Sequence, residues 1–310
     1  MKGFLYGIAS SATFGLIPLF TLPLMAKGMV FDSILFYRFL VAATAIGIIL
    51  LLRKETFSVT RKELPVLVLL GFLYAGSALF LFWGYTYLSS GIATTIHFLY
   101  PVFVTLIMLG VFHEKKSFWT FLAVALAVTG VALLSAGDGE TRLSGTGIFI
   151  VILSAVSYAL YITGVNKSTV HTMKGLKLTF YVLLSGSVIF FCMAQIKGTF
   201  QAIPDAASYL NIVLLAVVPT VISNLTLVKA VGYIGSTLTA VLGAMEPLTA
   251  VCVGIIVFRE PFTANLAAGI LCIVTAVSTI ILARHLQRAT VRLRSVVTAR
   301  RIGKQKPAGD

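Results

Sequence analysis

One carboxylate stands out in this chain. Glu246 lies near the middle of the apolar run 234–258, IGSTLTAVLGAMEPLTAVCVGIIVF, and is followed at once by Pro247. A run of that length crosses a bilayer as one helix. An acid at mid-bilayer depth is costly, by about a few kcal/mol or more, so it must face protein or water rather than lipid. Pro247 removes a backbone donor and disturbs the turn before it. Charge and helix break together point to a transport site rather than a plain anchor. The plainer reading is an acceptor bonded to a neighbouring helix.

Other polar and aromatic residues recur inside apolar runs at helical spacing. Ser236, Thr239, Gly243, Glu246 and Ala250 alternate by three and four and share one face. Thr94, His97, Pro101 and Thr105 do the same, with Tyr100 beside them. Thr13 groups with Ser10 and Phe14. Tyr158 and Tyr161 group with Ser154 and Ser157, Trp83 with Tyr74, Ser77 and Tyr85, and Asn224 with Thr220 and Ser223. The candidate solute-binding set is Glu246, His97, Tyr100, Trp83, Tyr158, Tyr161, Asn224, Thr13 and Arg38, with Pro101 and Pro247 as helix breaks. Small and hydroxyl residues in membrane helices also serve as packing contacts. Arg38 sits about two turns into its run and has two readings: it extends to the outer interface, or it pairs with an anionic group in the cavity.

These residues need a membrane scaffold around them. The 310 residues are 58% hydrophobic and 11% charged, with mean hydropathy +1.01. Such a chain cannot cover a water-facing surface with charge, which excludes an ordinary soluble enzyme. The net charge of +14 would suggest nucleic acid in a soluble protein. Here the bases lie between and after apolar runs, so topology and anionic lipid account for them, and nucleic acid is not an expected partner. Cys192, Cys252 and Cys272 fall inside apolar runs with no paired or metal-ligand spacing and read as small buried hydrophobes. No hydrolase, kinase or nucleotide-loop motif is present.

Ten spans follow from the apolar runs: about 3–25, 33–52, 65–88, 90–112, 118–135, 147–164, 176–196, 206–228, 234–258 and 264–283. Pro18 and Pro23 should bend the end of the first, and a short turn around Gly232 should separate the eighth from the ninth. The N-terminus has no clear cleavage site and reads as a retained helix. Lys and Arg concentrate on one side: Lys2, Arg53, Lys54, Arg61, Lys62, Lys115, Lys116, Lys167, Lys174, Lys177, Lys229 and the tail 284–310. Only Lys27, Arg38, Arg142, Lys197 and Arg259 fall on the other. That bias predicts both termini in the cytoplasm and an inner-membrane location.

The chain also repeats itself. Tyr87 matches Tyr233, Ser90 matches Ser236, Pro101 matches Pro247 and Glu114 matches Glu260, all at one offset, and Tyr100 then matches Glu246. Five spans per half is an odd number, so residues 1–136 and 145–283 should be upside-down copies, an arrangement that favours alternating access around a midplane site. Glu114 and Glu260, at span junctions, are expected to favour the dipole of the helix that follows.

These features resemble the EamA family of the drug/metabolite transporter superfamily. The resemblance rests on ten spans in two halves, the Pro101 and Pro247 centres, the closing acids Glu114 and Glu260, Arg38 in the second span and the Glu246–Pro247 step. It covers all but the tail. Members often have glycine before the closing acid, where this chain has His113 and Arg259. The resemblance implies an all-α membrane fold, a central cavity lined by both halves, export of small metabolites and no cofactor. The expected function is therefore export of small polar or amphipathic metabolites, amino acids among them. Two other readings stand beside it. A carrier of phosphorylated or nucleotide-linked solutes would need several cavity cations, for which only Arg38 and Lys229 offer themselves. A membrane enzyme acting on lipid-linked substrates would need a reactive cluster at one face.

Overall fold

Proline chemistry sets the rhythm of the chain. The computed structural model describes residues 1–113, 118–135, 144–279 and 281–282, without the side chains of 120, 135, 235–238, 240 and 241. The first apolar run is two helices, α1 (Lys2–Gly15) and α2 (Ile17–Ala26), parted at Leu16. Pro18 is the second residue of α2, where its missing donor does no harm. Next come α3 (Phe31–Leu52) and α4 (Glu63–Gly84). The fourth run is again broken, into α5 (Ser90–His97) and α6 (Tyr100–Gly110). Then follow α7 (Phe118–Ser135), α8 (Gly145–Lys167) and α9 (Gly175–Lys197). The chain continues as α10 (Ala206–Ala216), a π-helical turn (Val217–Ile222), α11 (Ser223–Leu242), α12 (Met245–Phe258) and α13 (Ala264–Thr279).

The described chain is all helical. Among the described residues seven helical segments are long and apolar enough to cross a membrane, and three shorter apolar helices accompany them. This is a polytopic membrane fold, the only open-ended architecture that satisfies backbone polar groups in lipid.

The turn expected around Gly232 is not formed. Helix α11 runs through that glycine and ends at Leu242, and the break falls at Gly243–Ala244. A glycine inside a helix costs only about 1 kcal/mol relative to alanine, too little to force a turn where flanking residues favour helix. The π-helical turn was also not expected. Pro219 has no N–H to give the Leu215 carbonyl, and the Thr220 hydroxyl donates to that oxygen instead, at 3.4 Å. Widening the turn brings a side chain to a stranded carbonyl, a common resolution of proline in a membrane helix.

Helix α1 packs along α11 and α12, α3 along α9, and α4 against both α8 and α9. Helix α5 packs on α12 and α8, and α6 on α8. Most pairs therefore join a helix from the first stretch of the chain to one from the second. Small residues allow close approach: a Cβ on Gly130 would lie 3.0 Å from the Gly269 carbonyl oxygen, so α7 and α13 meet almost backbone to backbone. Large apolar side chains such as Phe72, Phe121, Phe149 and Ile256 point outward, as a lipid-facing surface requires. Cys192 and Cys252 lie on that surface, not in the core as expected, and Cys272 is half-buried.

Candidate functional site

The two helix breaks place chemistry at one level. Phe98–Leu99 interrupts the helix just before Tyr100–Pro101, and Gly243–Ala244 interrupts it just before Met245–Glu246–Pro247. The second break follows from Pro247. It cannot donate to the Gly243 carbonyl, which accepts the Glu246 N–H instead, at 2.9 Å. Glu246 thereby stands in the first turn of α12, where the unpaired N–H groups of a helix start favour negative charge.

A cavity of about 450 Å³ opens beside this point. Glu246, Thr239 and Gly243 form one wall, and Tyr100, Pro101 and Thr105 face them from α6. Tyr158, Tyr161 and Asn166 come from α8, Ser10, Ser11 and Phe14 from α1, and Ser223 and Asn224 from α11. The volume falls within the range of small-molecule sites. Glu246 is 6% exposed, and its Oε1 is buried with no hydrogen-bond partner among the described residues. A buried acceptor left unsatisfied is uncommon and asks for an occupant.

The tyrosines form a continuous aromatic wall. The rings of Tyr100 and Tyr158 meet edge to face at 4.7 Å, and Tyr158 stacks with Tyr161 at 5.8 Å. Tyr74 backs both, 5.1 Å from Tyr161 and 6.0 Å from Tyr158.

Of the expected binding residues, Glu246, Tyr100, Tyr158, Tyr161 and Asn224 come together around this cavity. The others lie elsewhere. His97 is buried behind the tyrosines, 5.5 Å from the Tyr158 ring and 5.9 Å from that of Tyr100. Its Nδ1 pairs with Ser154 Oγ at 2.9 Å, while that hydroxyl donates to the Ser77 carbonyl at 2.6 Å. Thr13 is turned back on its own helix, donating to the carbonyls of Ala9 and Ser10. Trp83 is 39% exposed and faces outward. Pro247 is buried and does not line the cavity.

Arg38 follows neither expectation. It is buried, reaches neither the interface nor this cavity, and donates from Nε to Thr220 Oγ1 at 3.2 Å. Its guanidinium lies 5.7 Å from the Phe82 ring centre and 6.0 Å from that of Phe39. Arg38 thus supports the hydroxyl that repairs the π-helical turn. Lys229 lies 5.1 Å from the ring centre of Tyr6. Glu260 favours a helix start, but not that of the following helix: it accepts from Ser90 at the N-terminus of α5. Glu114, the Ser236 side chain and the basic tail lie outside the described residues.

Several lining residues were not foreseen. Asn166 falls in NKSTVHTMKG, which reads as a loop, yet α8 continues through it to Lys167. Val104, Ile162 and Leu227 line the cavity with apolar side chains. In helices apolar on every side, nothing in the pattern separates a cavity-facing valine from a lipid-facing one.

Apolar helices around a cavity that holds a buried acid among hydroxyl and apolar side chains define a multi-pass membrane protein of the transporter class. The chain belongs to the EamA-like transporter family, whose model matches residues 1–136 and 145–282. It is similar to the uncharacterized transporter YdfC of Bacillus subtilis, 22% identical over 68% of each chain. It is also similar to the uncharacterized transporter YvbV of that organism, 28% identical over 63% of this chain and 64% of the relative. An uncharacterized transporter of Archaeoglobus fulgidus is 29% identical over 49% of this chain and 52% of its own. For these last two, the matched part is under two thirds of the relative's length. A solved crystal structure superposes with TM-score 0.65 over 92% of this chain and 98% of its own at 18% identity, a likeness of fold.

Proposed function

We propose that this transporter exports small polar or amphipathic metabolites, amino acids among them, through the Glu246 cavity by alternating access. In this reading ten spans form two inverted halves, 1–136 and 145–283, in the inner membrane with both termini in the cytoplasm. The observation that carries it is the cavity of about 450 Å³ between two broken helices, where the described lining holds one buried acid with an unpaired oxygen. Glu246 engages the solute or a proton, and Tyr100, Tyr158, Tyr161 and Asn224 shape the space around it. Alternating access needs two states that differ in solute affinity. The packing of early helices on late ones supplies the surfaces between which such states exchange.

The competing reading as a carrier of phosphorylated solutes has less support, because Arg38 is engaged with Thr220 and Lys229 with Tyr6. The test is uptake and efflux of a labelled metabolite panel in proteoliposomes, with Glu246→Gln beside the parent. Solute movement by the parent that falls at least about tenfold in the variant supports the reading. Equal transport by both removes the role of this acid, and turnover of a lipid substrate without solute movement favours an enzyme.

A further inference from the structure

The cavity has a marked charge chemistry. Among the described residues lining it the single carboxylic acid is Glu246, and that lining contains no lysine, arginine or histidine. Among the described residues the two buried bases, Arg38 and His97, are both committed elsewhere. Arg38 is held by Thr220 and the Phe82 face, and His97 is bonded to Ser154 behind the tyrosine wall. A carboxylate or phosphate on a solute would find no cation here and would share a low-dielectric space with Glu246. A positive group would find a buried carboxylate oxygen with no other partner.

The aromatic geometry points the same way. Tyr100 and Tyr158 stand at 87° to one another, and Tyr161 is stacked with Tyr158 at 23°. Two nearly perpendicular ring planes make a corner, and phenol faces carry the negative side of the ring quadrupole, which attracts ammonium groups. Phe14 adds a fourth ring to the lining, and Val104 and Leu227 add aliphatic wall. At about 30 Å³ per water, the space holds on the order of fifteen waters, enough for an apolar body of moderate size as well as the charged group.

We propose that the cavity recognises an organic ammonium ion, a primary amine or quaternary ammonium carried on an apolar body. Glu246 supplies the counter-charge, and the Tyr100–Tyr158–Tyr161 corner supplies the ring faces. This narrows the solute class of the transport reading above and rests on that reading for its physiological role. Amino acids then bind through their ammonium group, with their carboxylate working against them.

A matched series of ligands on the purified full-length protein tests it. Phenethylamine, phenylalanine and phenylacetate share one ring and differ in charge, and phenethyltrimethylammonium keeps the charge without any N–H. Binding is read by isothermal titration calorimetry in lipid nanodiscs. Phenethylamine should bind about tenfold tighter than phenylalanine, the quaternary ion should bind comparably to phenethylamine, and phenylacetate should not bind. Glu246→Gln should weaken the amine about tenfold, and Tyr158→Leu should weaken it where Tyr158→Phe does not, since the ring face and not the hydroxyl is at work. If Glu246→Gln fails to fold, the ligand series on the parent still decides. Phenylacetate or phenylalanine binding as tightly as phenethylamine overturns the proposal, as does loss of the quaternary ion. Amine binding without movement across proteoliposomes leaves the recognition standing and removes the transport reading. Transport of neutral or anionic solutes without amine binding does the reverse.

Discussion

The carboxylate of Glu260 accepts hydrogen bonds from both the backbone N–H and the hydroxyl of Ser90, each at 2.8 Å. The Gly91 N–H adds a longer one at 3.4 Å. The residue that closes α12 thus holds the start of α5, a helix far away in sequence. The arrangement combines a capping interaction with an anion at the positive end of a helix.

Removing it should be felt in stability. Glu260→Ala should lower unfolding free energy by about 1–2 kcal/mol, and Glu260→Gln by less, because the amide oxygen still accepts from Ser90. Thermal unfolding in detergent, comparing both variants with the parent, measures this. An unchanged midpoint in Glu260→Ala would show that the contact contributes nothing.

Thr220 has two duties, accepting from Arg38 and donating to the Leu215 carbonyl. Thr220→Val keeps the shape and removes both bonds, leaving a charged donor and a carbonyl buried without partners. The expected cost is about 1–3 kcal/mol, with Thr220→Ser close to the parent. The same unfolding measurement distinguishes the two substitutions.

Ser154 gives its one proton to the Ser77 carbonyl, so His97 must donate to it from Nδ1. Ser154→Ala should therefore unsettle His97 and, through it, the rings of Tyr158 and Tyr100. Solute affinity in nanodiscs should fall by about threefold or more, although Ser154 does not line the cavity. Affinity equal to the parent's would show that the tyrosine corner holds itself.

At the surface, Lys27 Nζ contacts the Asp205 carboxylate at 2.7 and 3.0 Å, and Asp205 Oδ1 caps α10 by accepting from the Ser208 N–H at 2.7 Å. The Lys27 bond first, and the Ser208 N–H next, hold the Asp205 carboxyl down to about 2, against an ordinary 3.8. A depressed acid stabilises the fold above its unfolded value and loses that contribution as pH falls through its folded one. Stability should drop between about pH 4 and pH 2, and Asp205→Asn should flatten that part of the profile. The pair is exposed, so added salt should weaken its effect. A pH series of unfolding midpoints at low and high salt tests both statements.

The sequence made the membrane class legible because apolar runs of spanning length leave few other solutions. It made the acid legible because Glu246 is an expensive residue at that depth. Pro101 and Pro247 mark the two breaks through simple donor chemistry. The π-helical turn was hidden even though Pro219 was visible, because the hydroxyl that repairs it is steadied by Arg38 from another helix. Trp83 and Tyr158 look equivalent in sequence, each an aromatic inside an apolar run, yet one faces outward and the other lines the cavity. Only the rotation of each helix, set by its neighbours, separates them. Gly232 shows the opposite error, a punctuating residue carried through by the helix around it.

Gly15 is the last residue of α1, and a Cβ there would stand 2.4 Å from the carbonyl oxygen of Glu246. At this seam the two main chains meet with no side-chain cushion between them. A displacement of the first helix is thus handed directly to the peptide that carries the acid. In the transport reading proposed above, capture of a solute at the carboxylate and repositioning of the amino-terminal helix would share one stiff joint.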